Sequence, residues 1–330
     1  MDLRGNRILV IGGAGFIGSH VVDEMTREDV KEIIIYDNFC RGTMENLKEA
    51  QKEPRVRIYE VGGDICQTDI LDSAMKGMDY VVHLAALWLL QCYEYPRAAF
   101  EVNSRGTFNV LEACVNHKVK KMIYSSSASV YGDAVEIPMT EEHPYNNKTF
   151  YGATKIAGEQ MCRAFHHRYG LNYVGLRYMN VYGPRQDYKG AYIAVIMKIL
   201  DRLDQGLPPI VYGDGSQSYD FIYVSDVARA NICALKSDVA VDKCYNVGRG
   251  RQTKIRELCE LILEITGKSY EIKYEQAGET FVTNRIGSTE KARRDLGFLA
   301  DVDLREGLQR LIEWRKSNLF EPFFQKVDLR

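Results

Sequence analysis

The 330-residue sequence has no excess of either charge, no C-x-x-C pair, no apolar run of membrane length and no repeat or low-complexity tract. Each absence narrows the field. Lys and Arg total 43 against 45 Asp and Glu, a formal net charge of -2. The chain therefore carries no general field toward nucleic acid or anionic membrane, and any phosphate it binds must be gripped locally. Its eight cysteines are scattered without paired or histidine-interleaved spacing, which argues against a disulfide framework or zinc site and for reduced thiols. The histidines suggest no metal either. His166 and His167 are neighbours, so on a helix they point about 100° apart, and His83 reads as a core residue of a strand. The longest strongly apolar stretch, VVHLAALWLL at 81–90, is half of a membrane span. Arg4 and Arg7 precede an apolar run as in a signal peptide, but that run is glycine-rich, has no small-x-small cleavage site and passes into a charged helical pattern. The expectation is a cytoplasmic protein.

What is present is a large globular chain. Hydrophobic residues at 45% and charged residues at 27% exclude disorder, and the length leaves room for two lobes. Short apolar runs at 7–11, 32–36, 56–61, 80–84 and 121–125 alternate with helical patterns at a spacing of roughly 25 residues. Their near-continuous apolar character suits strands covered on both faces, and the spacing suits right-handed βαβ crossovers. A helix over 150–170 and a strand over 172–178 follow. The reading is α/β: a Rossmann-type doubly wound parallel sheet over 1–180 and a smaller C-terminal α/β lobe over 181–330. Segments such as 212–240 are free to return to the first domain. Helices are expected at about 190–204, 253–265 and 303–317.

The first strand runs into Gly12, Gly15 and Gly18, spaced G-x-x-G-x-x-G ahead of a helix. Glycine allows the tight turn and close backbone approach, and the helix start supplies amides and dipole for a pyrophosphate. Asp37 ends the second strand nineteen residues after Gly18, where a carboxylate can accept the adenosine ribose hydroxyls. That favours NAD over NADP, although Arg41 leaves a 2′-phosphate open. Asp64 and the HLAA segment at 83–86 occupy further carboxyl ends of strands, the edge at which such sheets bind ligands.

Two segments carry candidate chemistry. The fifth strand opens into Ser125, Ser126 and Ser127, and twenty-four residues beyond Ser127 comes Tyr151, with Lys155 four positions later on the same helical face. A phenol with a pKa of about 10 needs roughly 4 kcal/mol of preference for the phenolate to act near neutrality. A lysine ammonium about 4 Å away supplies approximately that. Tyr151 is thus the expected general base for a hydroxyl, and Ser127 positions the same oxygen.

The segments VIGGAGFIGSH, HLAA, VNSRGTFNVLEA, YSSSASVYG, YGATKIAGE, LRYMNVYGPRQ, YGDGSQSYDFIYVSDVARA and YNVGRG together resemble the extended short-chain dehydrogenase/reductase family, in its nucleotide-sugar epimerase/dehydratase branch, over nearly the whole chain. The resemblance implies a tightly bound NAD. Its cofactor residues here would be Gly12, Gly15, Phe16, Ile17, Gly18, Asp37, Asn38, Gly42, Asp64, Ile65, Leu84, Ala85, Ala86, Asn103, Ser125, Tyr151, Lys155 and Tyr178. It implies Ser127, Tyr151 and Lys155 as catalytic residues, Asn180 near the phosphates of a nucleotide sugar, and a homodimer built by packing the helix near 96–116 and the Tyr151 helix into a four-helix bundle. In such epimerases hydride passes from a sugar carbon, usually C4, to NAD and returns to the opposite face of the keto sugar.

Departures from the family pattern bear on the substrate. Dehydratases carry an Asp-Glu pair after the catalytic hydroxyl residue and decarboxylases a glutamate at the second of those positions; here Ala128 and Ser129 stand there, which favours an epimerase. The arginine that commonly grips the diphosphate is replaced by Tyr219, which cannot supply a charged fork. Arg285 or Arg251 is the candidate substitute. Trp88 stands where a basic or small polar residue is common, and is open to two readings: a wall of the sugar pocket or buried packing. Two other functions stay in view: a reductase or 3,5-epimerase of a nucleotide-linked keto sugar, and a non-catalytic dinucleotide sensor.

Overall fold

The computed structural model describes residues 2–186, 194–276 and 282–319. The chain begins with β1 (Arg7–Ile11), α1 (Phe16–Met25), β2 (Glu32–Tyr36), β3 (Val56–Ile58), α2 (Thr68–Met75) and β4 (Tyr80–His83). Short helices α3 (Leu89–Glu94) and α4 (Pro96–Ala99) lead through a π-helical turn at Phe100–Gly106 into α5 (Thr107–Asn116), β5 (Lys121–Ser127), α6 (Phe150–Tyr169) and β6 (Tyr173–Tyr178). The second half supplies β7 (Asn180–Tyr182), α7 (Val195–Asp204), β8 (Ile210–Tyr212), β9 (Ser218–Tyr219), β10 (Phe221–Tyr223), α8 (Val224–Lys236) and β11 (Lys243–Val247). It continues with β12 (Thr253–Lys254), α9 (Ile255–Thr266), β13 (Lys273–Glu275), β14 (Asn284–Arg285), α10 (Glu290–Leu296) and α11 (Leu304–Leu319).

A seven-stranded parallel sheet in the order β11-β6-β5-β4-β1-β2-β3 forms the centre. Alternation along β1 explains its two covered faces. Ile8 and Val10 pack with Val21 and Val22 of α1 and Val227 of α8, while Leu9 and Ile11 pack with Leu71 of α2 and Leu111 of α5. The smaller sheets, α7, α9 and α11 enclose a separate core around Met197, Leu258 and Leu308. No helix among the described residues is long and apolar enough to cross a membrane.

The first two strands fall where the sequence pattern puts them. The third ends at Ile58 instead of continuing to residue 61, because the chain turns through Gly62 and lays Gly63 against Asp37, where a side chain would come within 2.1 Å of the backbone. The helix expected from 190 begins at Val195, and its first expected residues, 190–193, lie outside the described ones. The second half also contributes to the central layer: β11 pairs with β6, and α8 packs on α1.

Candidate active site

The carboxyl ends of β1, β2, β4, β5 and β6 open onto one cavity of about 790 Å³. At one end Gly12 turns at φ 80°, and a Cβ there would stand 2.7 Å from the Ala85 nitrogen. A Cβ on Gly18 would meet the Gly12 oxygen at 2.0 Å, so only glycine lets α1 start this close to the loop. Asp37 accepts from the backbone nitrogens of Ala14 and Phe39, each at 2.8 Å, and burial pushes its carboxyl above the usual range. Asp64 accepts from the Cys66 nitrogen at 2.8 Å, and Ile65 is fixed by Asn109 donating to its carbonyl at 2.9 Å. Phe16, Ile17, Asn38, Gly42, Leu84, Ala85 and Ala86 line the same end.

At the other end α6 starts at Thr149, whose hydroxyl accepts from the Gly152 nitrogen at 3.0 Å. This start sets Tyr151 and Lys155 on the cavity wall beside Ser125 and Ser127. The Ser127 hydroxyl, which accepts from the Ser129 nitrogen at 3.1 Å and donates to the Ser129 hydroxyl at 3.2 Å, favours the phenolate of Tyr151, but burial outweighs it and pushes that phenol up to about 12. Burial pushes Lys155 down to about 8, and its Nζ donates to the Ser125 carbonyl at 2.6 Å. The ammonium stands 5.7 Å from the Tyr151 ring centre. The raised phenol differs from the depression expected from Lys155, because burial outweighs the opposing Ser127 hydroxyl and Arg285 charge in the chain alone. Tyr178 donates to Asn231 Oδ1 and meets the Ser125 hydroxyl, both at 3.0 Å.

Beyond these groups the wall is made by Trp88, Asn180, Tyr219 and Arg285. β9 and β14 place Tyr219 and Arg285 in register as direct neighbours. The Tyr219 hydroxyl donates to the Val282 carbonyl at 2.8 Å. Burial pushes Arg285 down to about 10, and its Nε, like the Asn180 Nδ2, finds no hydrogen-bond partner among the described residues. Arg285 also lines an adjoining cavity of about 280 Å³ with Ser129, Asn147 and Lys148. Trp88 is half-buried in the cavity wall, with the Arg41 guanidinium 4.7 Å from its ring centre. Arg251, the other candidate, is exposed and does not line either cavity. No cluster of three His, Cys, Asp or Glu among the described residues could hold a metal.

The family model "NAD dependent epimerase/dehydratase family" matches residues 8–248. This chain belongs to the NAD-dependent epimerase/dehydratase family. It is 37% identical over 314 residues to a putative UDP-glucose 4-epimerase of Methanocaldococcus jannaschii, covering 94% of this chain and 99% of that one. It is 32% identical to a dTDP-glucose 4,6-dehydratase of an Actinoplanes species, covering 94% and 98%. The structure of a UDP-N-acetylglucosamine 4-epimerase of Methanobrevibacter ruminantium, solved with UDP-N-acetylmuramic acid, superposes with a TM-score of 0.89 at 35% identity over 96% of this chain and 99% of that one. Members of the family thus include both 4-epimerases and 4,6-dehydratases, and the glycine cradle with Asp37 fits the NAD they use.

One expected cofactor residue is absent from the cavity wall. Asn103 does not line the cavity. The π-helical turn buries it, so its amide accepts from the Leu87 nitrogen at 2.7 Å and donates to the Leu87 carbonyl at 2.9 Å and the Thr154 hydroxyl at 3.2 Å. It clamps the wall that carries Trp88. Conversely, Asn46, Met179, Arg185 and Ile255 line the cavity without having been singled out. Met179 and Arg185 had a signal, their place in the segment LRYMNVYGPRQ.

Proposed function

We propose that the protein is an NAD-dependent epimerase of a nucleotide-activated sugar, acting at C4 through a transient keto intermediate. The observation that carries this reading is the chemistry of the catalytic end. Among the described residues lining the main cavity the only carboxylates are Asp37 and Asp64, both at the opposite end, and Ala128 and Ser129 follow Ser127. Eliminating water requires an additional acid and base beside the sugar, whereas moving a hydride out and back requires one group that takes and returns a hydroxyl proton.

Tyr151 is that group. Ser127 holds the reacting hydroxyl against it, and Lys155 supplies a fixed positive charge behind the phenol. The bound NAD supplies the hydride acceptor, and the positive charge of its oxidised ring favours the phenolate. Burial holds the phenol up at about 12 in the protein alone, and a positive nicotinamide ring beside it would act in the sense that lowers it. Arg285 and Asn180 in the cavity wall, each with a donor unmatched among the described residues, support a role for them in holding the diphosphate in place of the family arginine that Tyr219 replaces.

A homodimer fits the surface. Phe108 of α5, Phe165 and Tyr169 of α6 form an aromatic string with ring centres 5.2 and 5.3 Å apart, and Phe108 and Tyr169 remain exposed at 42% and 56%. A second copy covering both helices would bury that string.

The test incubates the protein with a panel of UDP-, GDP-, CDP- and TDP-sugars in deuterium oxide, followed by NMR. The expected result is a C4 epimer without solvent deuterium, abolished in Tyr151→Phe. Deuterium at C3 or C5 would replace the hydride shuttle with enolisation.

A further inference from the structure

We propose that the buried Glu159–Arg177 ion pair is the positioning element of the catalytic strand end, acting through Ser126 to hold Ser127 against Tyr151. The inference rests on the catalytic reading of Ser127, Tyr151 and Lys155 given above.

Tyr151, Lys155 and Glu159 succeed one another at four-residue intervals along α6 and so lie on one face. Ser126 of β5 pairs directly with Arg177 of β6, which brings its hydroxyl to the same side of the sheet as the guanidinium. Arg177 grips Glu159 with both arms of its fork, Nε to Oε1 at 2.9 Å and Nη2 to Oε2 at 2.7 Å. The side chains are 5% and 2% exposed. Ser126 donates to Glu159 Oε1 at 2.5 Å.

Consecutive residues of the strand are thereby tied to consecutive turns of the helix. Ser125 accepts from Lys155, Ser126 donates to Glu159, and the next residue is Ser127. Arg177 extends the tie by donating to the Tyr131 hydroxyl and the Glu141 carbonyl, each at 2.8 Å, so the connection between β5 and α6 is held by the same pair. Stability alone does not account for such an arrangement, because a buried ion pair is often no more stabilising than apolar side chains of its volume. Its bidentate geometry fixes distance and register, which is what a shared hydroxyl site needs.

The pair also faces Lys155. The groups around that ammonium are His83 from β4, Cys92 from α3, Tyr124 from β5, and Tyr151, Glu159 and Cys162 from α6. Of these, Glu159 is the carboxylate, and its charge helps Lys155 keep its proton.

The experiment compares Ser126→Ala, Glu159→Gln and Tyr151→Phe in the full chain with NAD, using UDP-glucose and UDP-N-acetylglucosamine as probes, together with a crystal structure of Ser126→Ala. That structure is expected to have Ser127 Oγ displaced by about 0.5 Å or more from its place against the phenol. Ser126→Ala is expected to lose about tenfold or more in kcat with KM within twofold and NAD content unchanged. Glu159→Gln is expected to move the alkaline limb of the kcat profile to lower pH, a shift absent from Ser126→Ala. An unmoved Ser127 in the Ser126→Ala structure overturns the proposal whether or not a probe is turned over. Native kcat in Ser126→Ala, with Tyr151→Phe inactive, overturns the positioning role alone. Activity retained in Tyr151→Phe overturns the catalytic reading beneath it. If Glu159→Gln does not fold, Ser126→Ala decides the question by itself.

Discussion

Arg285 is a guanidinium set into the cavity wall beside Tyr219, with an Nε unmatched among the described residues and a pKa pushed down to about 10 by burial. Holding a charge there costs free energy that an anionic ligand offsets. Arg285→Met is therefore expected to weaken binding of the nucleoside diphosphate roughly 10- to 100-fold, the range for charged hydrogen bonds of about 1.5–3 kcal/mol, without lowering the melting temperature. Calorimetric titration with UDP checks this, and unchanged affinity would remove Arg285 from the site. At this scale the sequence disclosed residues whose chemistry is written in short local motifs. The glycine spacing, Asp37, Ser127 and the Tyr151–Lys155 interval all meet in one cavity. It did not disclose what depends on distant packing. Asn103 turns inward because of a π-helical turn, and the Tyr151 phenol is raised because burial outweighs the Ser127 hydroxyl and the Arg285 charge.

Among the elements, α6 does the most. Its capped start delivers Tyr151 and Lys155 to the cavity, its next turn carries Glu159, and its outer side shares the aromatic string with α5. Phe108→Glu on that string is expected to shift the protein from dimer to monomer in sedimentation velocity, because a carboxylate would have to be buried in the interface. Retention of a dimer would place the interface elsewhere. Strands β1 and β2 were legible to the residue from their apolar runs, since parallel strands covered on both faces leave that pattern. β11 was not anticipated as the seventh strand. Lys243–Val247 has a mixed pattern, and its place beside β6 is set by contacts across some seventy residues of sequence.

The molecule as a whole holds two neutral histidines in its interior. Burial, with Arg185 adding to it, pushes His20 from 6.5 to about 4, and burial with Lys155 pushes His83 to about 3. Below pH 6.5 the unfolded chain binds protons that the folded chain refuses, so stability is lost as pH falls through that window toward 4. Asp220 acts in the opposite sense: burial raises it to about 6, so the folded chain takes up a proton there before the unfolded chain does. Burial raises Asp23 and Asp37 in the same sense as Asp220, but as pH falls from 7 the histidines of the unfolded chain, at 6.5, bind protons first. The melting temperature is expected to fall between pH 7 and pH 5, and less steeply in His20→Gln, which can still donate to the Pro184 carbonyl. A melting temperature independent of pH in that range would mean the histidines are not held neutral.

The central claim is that one proton-handling tyrosine serves a hydride that leaves C4 and returns to C4. The most direct measurement supplies a UDP-hexose deuterated at C4 and follows the label by NMR. The expected product is an epimer that keeps its deuterium at C4. Deuterium found on C6 of a 6-deoxy-4-keto product, or lost to water, would contradict it.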